Sequence, residues 1–376
     1  MRIAFYAPLK PPDHPVASGD RAMARALISG LDMAGHEVRI VSRFRSFDQG
    51  DPKRQARIRD LGIKLADRLL RRFGRTGWRP DLWFTYHLYH KAPDWLGPSI
   101  SGELGLPYVV AEASFAPKQA GGRWALGHQA VADALGGAAR VFQPNPGDAE
   151  CVLPLLACAD RLVVLNPFLE TAPYRRPDRD ASRVAIASRY DLPASEPWLI
   201  TVAMMRNDQK LLSYRCLAAA MAFLTDLPWH LLLAGVGAAE AEVRSLFAPF
   251  VERVRWVGLL DRETLRQAYR ASDLYVWPAI KEAYGMAFVE AQAAGLPIVA
   301  GRSPGVAGIV ADGETGCLVE QGDAMAFAAA VRALLADPGE RRRIGAAGLN
   351  RAAREHDIAA ASRLLDRHLR EIVGAQ

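Results

Sequence analysis

The sequence predicts an α/β protein built as two Rossmann-like domains that face each other across a cleft. Three observations carry this expectation. Short apolar runs rich in Val, Ile and Leu alternate with longer amphipathic segments almost from end to end, the pattern of parallel sheets flanked by helices. The alternation breaks between Pro167 and Pro197, where five prolines and a cluster of arginines intervene. Dividing 376 residues there leaves two halves of similar size, and with half of all residues apolar each can fill a core of its own.

In the first half the expected strands are Arg2 to Ala7, Glu37 to Ser42, Asp81 to Tyr86, Pro107 to Glu112 and Arg161 to Leu165. The helix from Gly19 to Ala34 ends at Gly35, as C-terminal glycines commonly arrange. A second series follows: Trp198 to Ala203, His230 to Gly235, Val254 to Val257, Asp273 to Trp277, Pro297 to Ala300 and Cys317 to Val319. Helices from Asp323, Pro338 and Asp357 close the chain. The boundary is placed at 178/179, giving domains 1–178 and 179–356.

No apolar run approaches the roughly 18 to 20 residues of a membrane-spanning helix, and Met1 to Ala7 has the character of a strand, so a cytoplasmic protein is expected. Cys151, Cys158, Cys216 and Cys317 show neither a Cys-x-x-Cys pair nor a disulfide-rich spacing and are expected as reduced core residues. The net charge of +6 is concentrated. Between Lys53 and Arg79 stand ten Lys or Arg against Asp60 and Asp67. Ile58, Leu61, Leu65 and Leu69 recur there at spacings of three and four, so the segment is expected as a helix with one apolar and one cationic side. Such a helix can rest on an anionic membrane surface or pack on its own domain. Nucleic acid is disfavoured, because no aromatic residues interleave with the charges.

The segment Ala271 to Gly295, ASDLYVWPAIKEAYGMAFVEAQAAG, carries the chemistry. A strand runs into a loop holding Pro278, Glu282 and Gly285, and a helix opens near Met286 and stops at Gly295 ahead of Pro297. Free N–H groups and the dipole at such a helix start favour a diphosphate, and Gly285 lets it approach. Glu282 just before the helix and Glu290 a turn inside can each accept two hydrogen bonds from neighbouring hydroxyls. A diol on either side of a diphosphate describes a nucleotide sugar.

This segment resembles the donor site of the retaining GT-B glycosyltransferases of family 4, whose mark is Glu, seven residues, Glu, found here as EAYGMAFVE and followed by AQAAGLPIVA. The resemblance implies a GT-B fold whose C-terminal helix, 357–376, packs back on the N-terminal domain. It implies that Glu282 contacts the transferred sugar, that Glu290 holds the ribose, and that the N–H groups of Tyr284, Gly285, Met286 and Ala287 bind sugar and phosphate. In TVAMMRNDQKL the resemblance assigns Arg206 and Lys210 to the diphosphate, whose charge grows as it leaves. The family's Gly-Arg is replaced by Met204-Met205, with Arg206 one place later.

HLLLAGVGAAEAEV is similar to the family's strand and glycine-rich turn, with Gly235 and Gly237 serving as a tight turn or as ligand contacts; Glu240 stands where a dinucleotide fingerprint has its third glycine. Val257 and Gly258, in VRWVG, match the strand that contacts the base. Gly19, in HPVASGDRAMARAL, matches the glycine loop after the first strand, with a plain helix start as the alternative. The family's His-Asp is replaced by Ala111-Glu112-Ala113-Ser114, leaving Glu112, His87 and His128 as candidates to meet acceptor or sugar. Gly308 stands where the family usually has an acid.

No metal and no cofactor is called for. Asp178-Arg179-Asp180 has the Asp-x-Asp form of a metal-binding transferase but lacks a positioning strand, and His87 and His90 have no ligand-spaced partners. The implied activity is transfer, with retention, from a UDP- or GDP-type sugar to a hydroxyl of a glycan or lipid-linked glycan, as in polysaccharide biosynthesis, by a cytoplasmic enzyme that could sit peripherally on the inner membrane face. The rival readings are an epimerase-like GT-B enzyme, a non-catalytic nucleotide-sugar-binding protein, and a nicotinamide dehydrogenase.

Overall fold

The computed structural model describes every residue except Val16, Ala17, Asn145, Arg176, Pro177, Ala283, Tyr284, Ala375 and Gln376, together with the side chain of Pro146. Tyr284, expected at the donor site, therefore lies outside the described residues. The chain forms two compact units, one of Met1–Asn166 with Ile358–Gln376 and the other of Pro167–Asp357.

The first unit runs β1 (Arg2–Tyr6), α1 (Gly19–Met33), β2 (Glu37–Ser42), α2 (Pro52–Thr76), β3 (Leu82–Tyr89), α3 (Gly97–Leu104), β4 (Tyr108–Ser114), α4 (Ala125–Gly136), β5 (Arg140–Gln143), α5 (Pro146–Val152) and β6 (Leu162–Val164). Its six strands are all parallel in the order β2-β1-β3-β4-β5-β6. Strands β1, β3 and β4 are covered on both faces and so read as continuous apolar runs. Ser18 caps α1 by accepting from the Arg21 amide at 3.2 Å, and Gly35, at φ 80°, turns the chain out of it.

The second unit runs α6 (Arg179–Tyr190), β7 (Trp198–Val202), α7 (Gln209–Ala222), β8 (His230–Ala234), α8 (Glu240–Leu246), β9 (Val254–Gly258), α9 (Arg262–Ala271), β10 (Leu274–Trp277), α10 (Met286–Ala293), β11 (Ile298–Gly301), α11 (Pro304–Ala307), β12 (Gly316–Val319), α12 (Ala324–Ala336) and α13 (Pro338–Glu355). Its strands are also parallel, in the order β12-β11-β10-β7-β8-β9. Helix α14 (Ile358–Gly374) belongs to the first unit, where it packs on α1 and His36 meets Asp366 at 3.1 Å.

In each sheet the chain reverses its direction of travel once, between β1 and β3 in the first and between β7 and β10 in the second. Loops leaving the carboxyl ends of strands on either side of such a point diverge and leave room for a ligand.

The division between the units differs from the expected 178/179. Residues after Asn166 already belong to the second unit because they are laced to the end of α13: Pro167 O bonds His356 Nδ1 at 2.7 Å, the Leu169 amide donates to His356 O at 3.0 Å, and Thr171 Oγ1 donates to Asp357 at 2.5 Å. Phe168 and Tyr174 are buried there.

Two further expectations need correction. Cys216 is buried, but Cys151 and Cys317 are half-buried and Cys158 is exposed in the loops after α5; all four are free. The buried stripe of α2 is Gly62, Ala66, Leu69 and Phe73, while Leu61 is 47% exposed. The seam is set by close approach, since a Cβ at Gly62 would lie 2.4 Å from Trp95 Cβ.

Candidate active site

The β10–α10 junction sits beside the reversal point of the second sheet. Strand β10 is wholly buried, and the loop after it holds Ala279 and Lys281 in the left-handed region, at φ 52° and 50°, before Gly285 at φ 68°. Two non-glycine residues in that region are strained and persist only where the surroundings fix them. Here Ser213 Oγ accepts from the Ile280 amide at 2.9 Å, Gln321 Oε1 accepts from the Lys281 amide at 2.8 Å, and Ser303 Oγ donates to Glu282 O at 3.0 Å. A Cβ at Gly285 would lie 2.4 Å from the buried ring of Phe288, so glycine is required there by packing as well as by φ.

This loop delivers Glu282 to Lys210 on the first turn of α7. The Lys210 ammonium donates to Glu282 Oε2, and Trp277 Nε1 donates to the same oxygen at 3.1 Å. Oε1 receives no donor among the described residues. Lys210 also lies 5.4 Å from the centroid of the Trp277 ring, which Tyr214 meets edge-on. One carboxylate oxygen thus carries both donors. Met286 and Ala287 follow at the start of α10, where amide N–H groups are unsatisfied by the helix.

Glu290 lies further into α10. The hydroxyl of Tyr269 donates to its Oε2 at 2.9 Å. Burial pushes the Glu290 carboxyl above its ordinary value, against the neighbouring Tyr269 and Tyr174 and the charges of Arg266 and Arg262.

Arg206 is half exposed and paired with Asp208 at 3.0 Å, and Asp208 caps α7 through the Lys210 amide. The turn after β8 sets the course of this loop. A Cβ at Gly235 would lie 1.9 Å from Ala203 O and one at Gly237 2.2 Å from Met205 O, while the Met205 amide donates to Val236 O and the Ala239 amide to Met205 O. These glycines act by letting two backbones touch. Gly258 O accepts from the Gly235 amide at 2.9 Å, and Gly258, at φ 64°, faces open space beside the buried Val257.

The first unit has its own cluster at its reversal point. His87 at the end of β3 and Glu112 on the neighbouring β4 both adopt left-handed backbone, φ 61° and 62°. His87 Nδ1 is 2.9 Å from Asp20 Oδ1 and 3.6 Å from Glu112 Oε1. Burial lowers the His87 pKa, but the charges of Glu112 and Asp20 outweigh it and hold it above the ordinary value. Asp20 is lowered, its bond to His87 overcoming the effect of burial, whereas burial raises Glu112. Gly19, one residue before Asp20, has nothing within 4 Å of where a Cβ would stand. His128 lies apart from this cluster, on α4 against Phe115 with ring centroids 4.2 Å apart.

Sequence reasoning missed Asp20, Trp277 and Tyr269. Asp20 follows the glycine of the first loop and Trp277 ends the strand before Glu282, so both had a local signal. Tyr269 had none. Asp178-Arg179-Asp180 opens α6, with Arg179 paired to Asp273, and among the described residues no group of three or more His, Cys, Asp or Glu is placed to hold a metal ion.

Two six-stranded parallel-sheet units, each with one reversal of strand order, make up a GT-B fold. The structure of sucrose-phosphate synthase from Thermosynechococcus elongatus superposes with a TM-score of 0.75 at 23% identity, covering 100% of both chains. That of HepE from Anabaena in complex with UDP and glucose gives 0.72 at 15% identity, covering 98% of this chain and 99% of that one. Residues 196–337 match the family described as glycosyl transferases group 1. The D-inositol 3-phosphate glycosyltransferase of Xylanimonas cellulosilytica is 33% identical over 214 residues, 54% of this chain and 50% of that protein. The phosphatidyl-myo-inositol mannosyltransferase of Mycobacterium leprae is 40% identical over 129 residues, 34% of each. The chain spans about half the length of the first of these relatives and a third of the second.

Proposed function

We propose that the protein is a retaining glycosyltransferase that moves a sugar from a UDP- or GDP-type donor to a hydroxyl of a glycan or lipid-linked acceptor. The observation that carries this reading is Glu282, held through one oxygen by Lys210 and Trp277 in the loop before α10. Its other oxygen accepts from hydroxyls of the transferred sugar. The amides of Gly285, Met286 and Ala287 receive the diphosphate, Tyr284 adjoins them, and Glu290 holds the ribose diol. Val257 and Gly258 border the base.

In the transfer the bond from the anomeric carbon to the diphosphate oxygen breaks. The acceptor oxygen bonds to that carbon on the same face, and its proton passes to the departing phosphate. No protein nucleophile is used and no metal enters. Lys210, with Arg206 turning from Asp208, offsets the charge that grows on the leaving group. His87, its pKa held above the ordinary value by Glu112 and Asp20, donates a hydrogen bond on the acceptor side, with Gly19 giving room. The curated relatives are named as a glycosyltransferase and a mannosyltransferase, which supports glycosyl transfer, and the HepE structure holds UDP and glucose, which fits a nucleotide-sugar donor.

A specific observation also favours attachment to an anionic membrane surface, at the cytoplasmic face, through residues 53–79. Leu61 and Ile63 are exposed on α2 at 47% and 50%. Nearby, Arg68, Arg72 and Arg75 rim a groove of about 860 Å³ floored by Val41, Leu65 and Leu69. Exposed apolar side chains beside guanidinium groups suit a bilayer interface.

A radiolabelled or coupled transfer assay tests the activity. Glu282→Ala is expected to lose turnover by about two orders of magnitude while the circular dichroism spectrum is retained. An unchanged rate counts against the assignment. Donor consumption without acceptor would indicate an epimerase-like enzyme, and nucleotide binding with neither transfer nor hydrolysis a non-catalytic protein.

A further inference from the structure

We infer that Asp20 is a positioning residue for His87: it fixes the imidazole through Nδ1, so that Nε2 is the nitrogen presented to substrate and carries a proton only while the ring is cationic. This rests on the reading that His87 donates a hydrogen bond on the acceptor side.

The two residues are 67 apart in the chain, and each is held where they meet. Between β3 and β4 the register pairs Tyr86 with Ala111 and Leu88 with Ala113. His87 and Glu112 stand between those pairs, and both leave the extended conformation for the left-handed one at that point. The four flanking residues are buried and keep the strands in place, which is what lets two strained residues persist side by side. Asp20 comes from the first turn of α1. Ser18 caps that helix, and the Arg21 guanidinium donates to His14 O at 2.8 Å, tying the entering loop to it.

Asp20 Oδ1, at 2.9 Å from His87 Nδ1, is within hydrogen-bond distance, whereas Glu112 Oε1, at 3.6 Å from the same nitrogen, is not. Tyr86 and Tyr89 lie against the imidazole with ring centroids 5.9 and 5.0 Å away, and the His87 side chain remains 17% exposed. An ionised carboxylate only accepts, so the contact with Asp20 requires the proton on Nδ1. In the neutral ring Nε2 is then bare and accepts; in the cation it donates. His87 thus becomes a donor to substrate by gaining a proton, and exchange of tautomers is closed to it. The charged groups that face it are Glu112 on β4, Asp20 on α1 and Asp148 on α5, and Lys10 faces Asp20. Burial opposes the cation, and Glu112 and then Asp20 outweigh it. Glu112 contributes charge, while Asp20 contributes charge and direction.

The test is a pH titration of the full chain labelled with ¹⁵N-histidine, followed in long-range ¹H–¹⁵N spectra, the His87 signals being those lost in His87→Gln. The neutral ring of the parent is expected as the Nδ1–H tautomer. Asp20→Asn keeps the shape of the side chain but offers either an acceptor or a donor. It is expected to make His87 titrate at lower pH and to release the neutral ring from the Nδ1–H form. Glu112→Gln is expected to lower the titration while leaving the tautomer as in the parent. The kcat/KM for nucleoside diphosphate release is measured in parallel with UDP-glucose or GDP-mannose, whichever the parent consumes. Its alkaline limb is expected to follow the His87 titration, so that Asp20→Asn falls about tenfold or more below the parent at the pH where only the parent's ring is still cationic. A parent in the Nε2–H form, or an Asp20→Asn variant that keeps the parent's tautomer, overturns the positioning role. A tautomer that changes without moving the limb overturns it too, by making the contact purely structural. If His87→Gln keeps the parent's rate, the reading of His87 itself is at fault, and the inference falls with it whatever the spectra show.

Discussion

Lys210 and Glu282, 72 residues apart in the chain, form a partly buried ion pair beside the reversal point of the second sheet. Each supplies the other's counter-charge in the free protein, and in the proposed reaction each has a separate partner, the diphosphate for one and the sugar for the other. Removing either leaves the remaining charge partly buried and unpaired. Lys210→Met and Glu282→Gln are therefore expected to be non-additive in denaturant unfolding, with a coupling of about 0.5–3 kcal/mol, whereas turnover falls roughly 100-fold or more in either single variant. Additive stabilities would mean that the pair is not formed in solution.

Gly235 and Gly237 are expected to matter through the loop they touch. A Cβ at Gly235 meets a backbone carbonyl at 1.9 Å, with no flexible side chain to yield. Gly235→Ala is expected to cost about 1–3 kcal/mol in stability and to displace the Met204–Arg206 loop. Thermal melts and the KM for donor should both move. A variant that melts like the parent and keeps its KM would contradict this account of the turn.

The cluster in the first unit should leave a signature in pH. The folded pKa of His87 is raised, so its contribution to stability is complete below the unfolded value of about 6.5 and is lost as the pH rises through the folded value. Asp20 is lowered, so its contribution is present above the ordinary carboxylate value and is lost as the pH falls through the folded one. Melting temperatures of the parent and His87→Gln should differ most between these limits and converge toward alkaline pH. A gap that widens with rising pH would reverse the sign and remove the cationic assignment.

Neutralising Arg68, Arg71 and Arg72 together should weaken binding to anionic vesicles. At about 1 kcal/mol for each charge near the surface, three represent roughly a hundredfold. Vesicle sedimentation measures this, and equal partition with and without the charges would dispose of the membrane reading.

Much of the second unit was legible because its signals are local. The strands are apolar runs, and EAYGMAFVE holds the strand-to-helix transition, the glycine and both acids within one short stretch. What escaped depends on contacts between segments far apart in the chain. Asp20 follows the glycine of the first loop, but it meets His87 only because β1 and β3 are neighbours across a reversal point, a pairing that the local signal does not carry. The docking of Pro167 and Thr171 was hidden for a related reason, since a proline-rich stretch suggests a loose linker and gives no sign that its first residues are laced to His356 and Asp357. On α2 the hydrophobic spacing included Leu61, but packing against Trp95 favoured a seam opened by Gly62. Periodicity counts apolar side chains and is blind to a face selected for being small.

The most direct measurement is a crystal structure of the protein with a bound nucleoside diphosphate. The account predicts the diphosphate at the amides of Met286 and Ala287, the ribose hydroxyls on Glu290, and Glu282 Oε1 facing the position of the transferred sugar. A nucleotide bound elsewhere, with both carboxylates untouched, would contradict it.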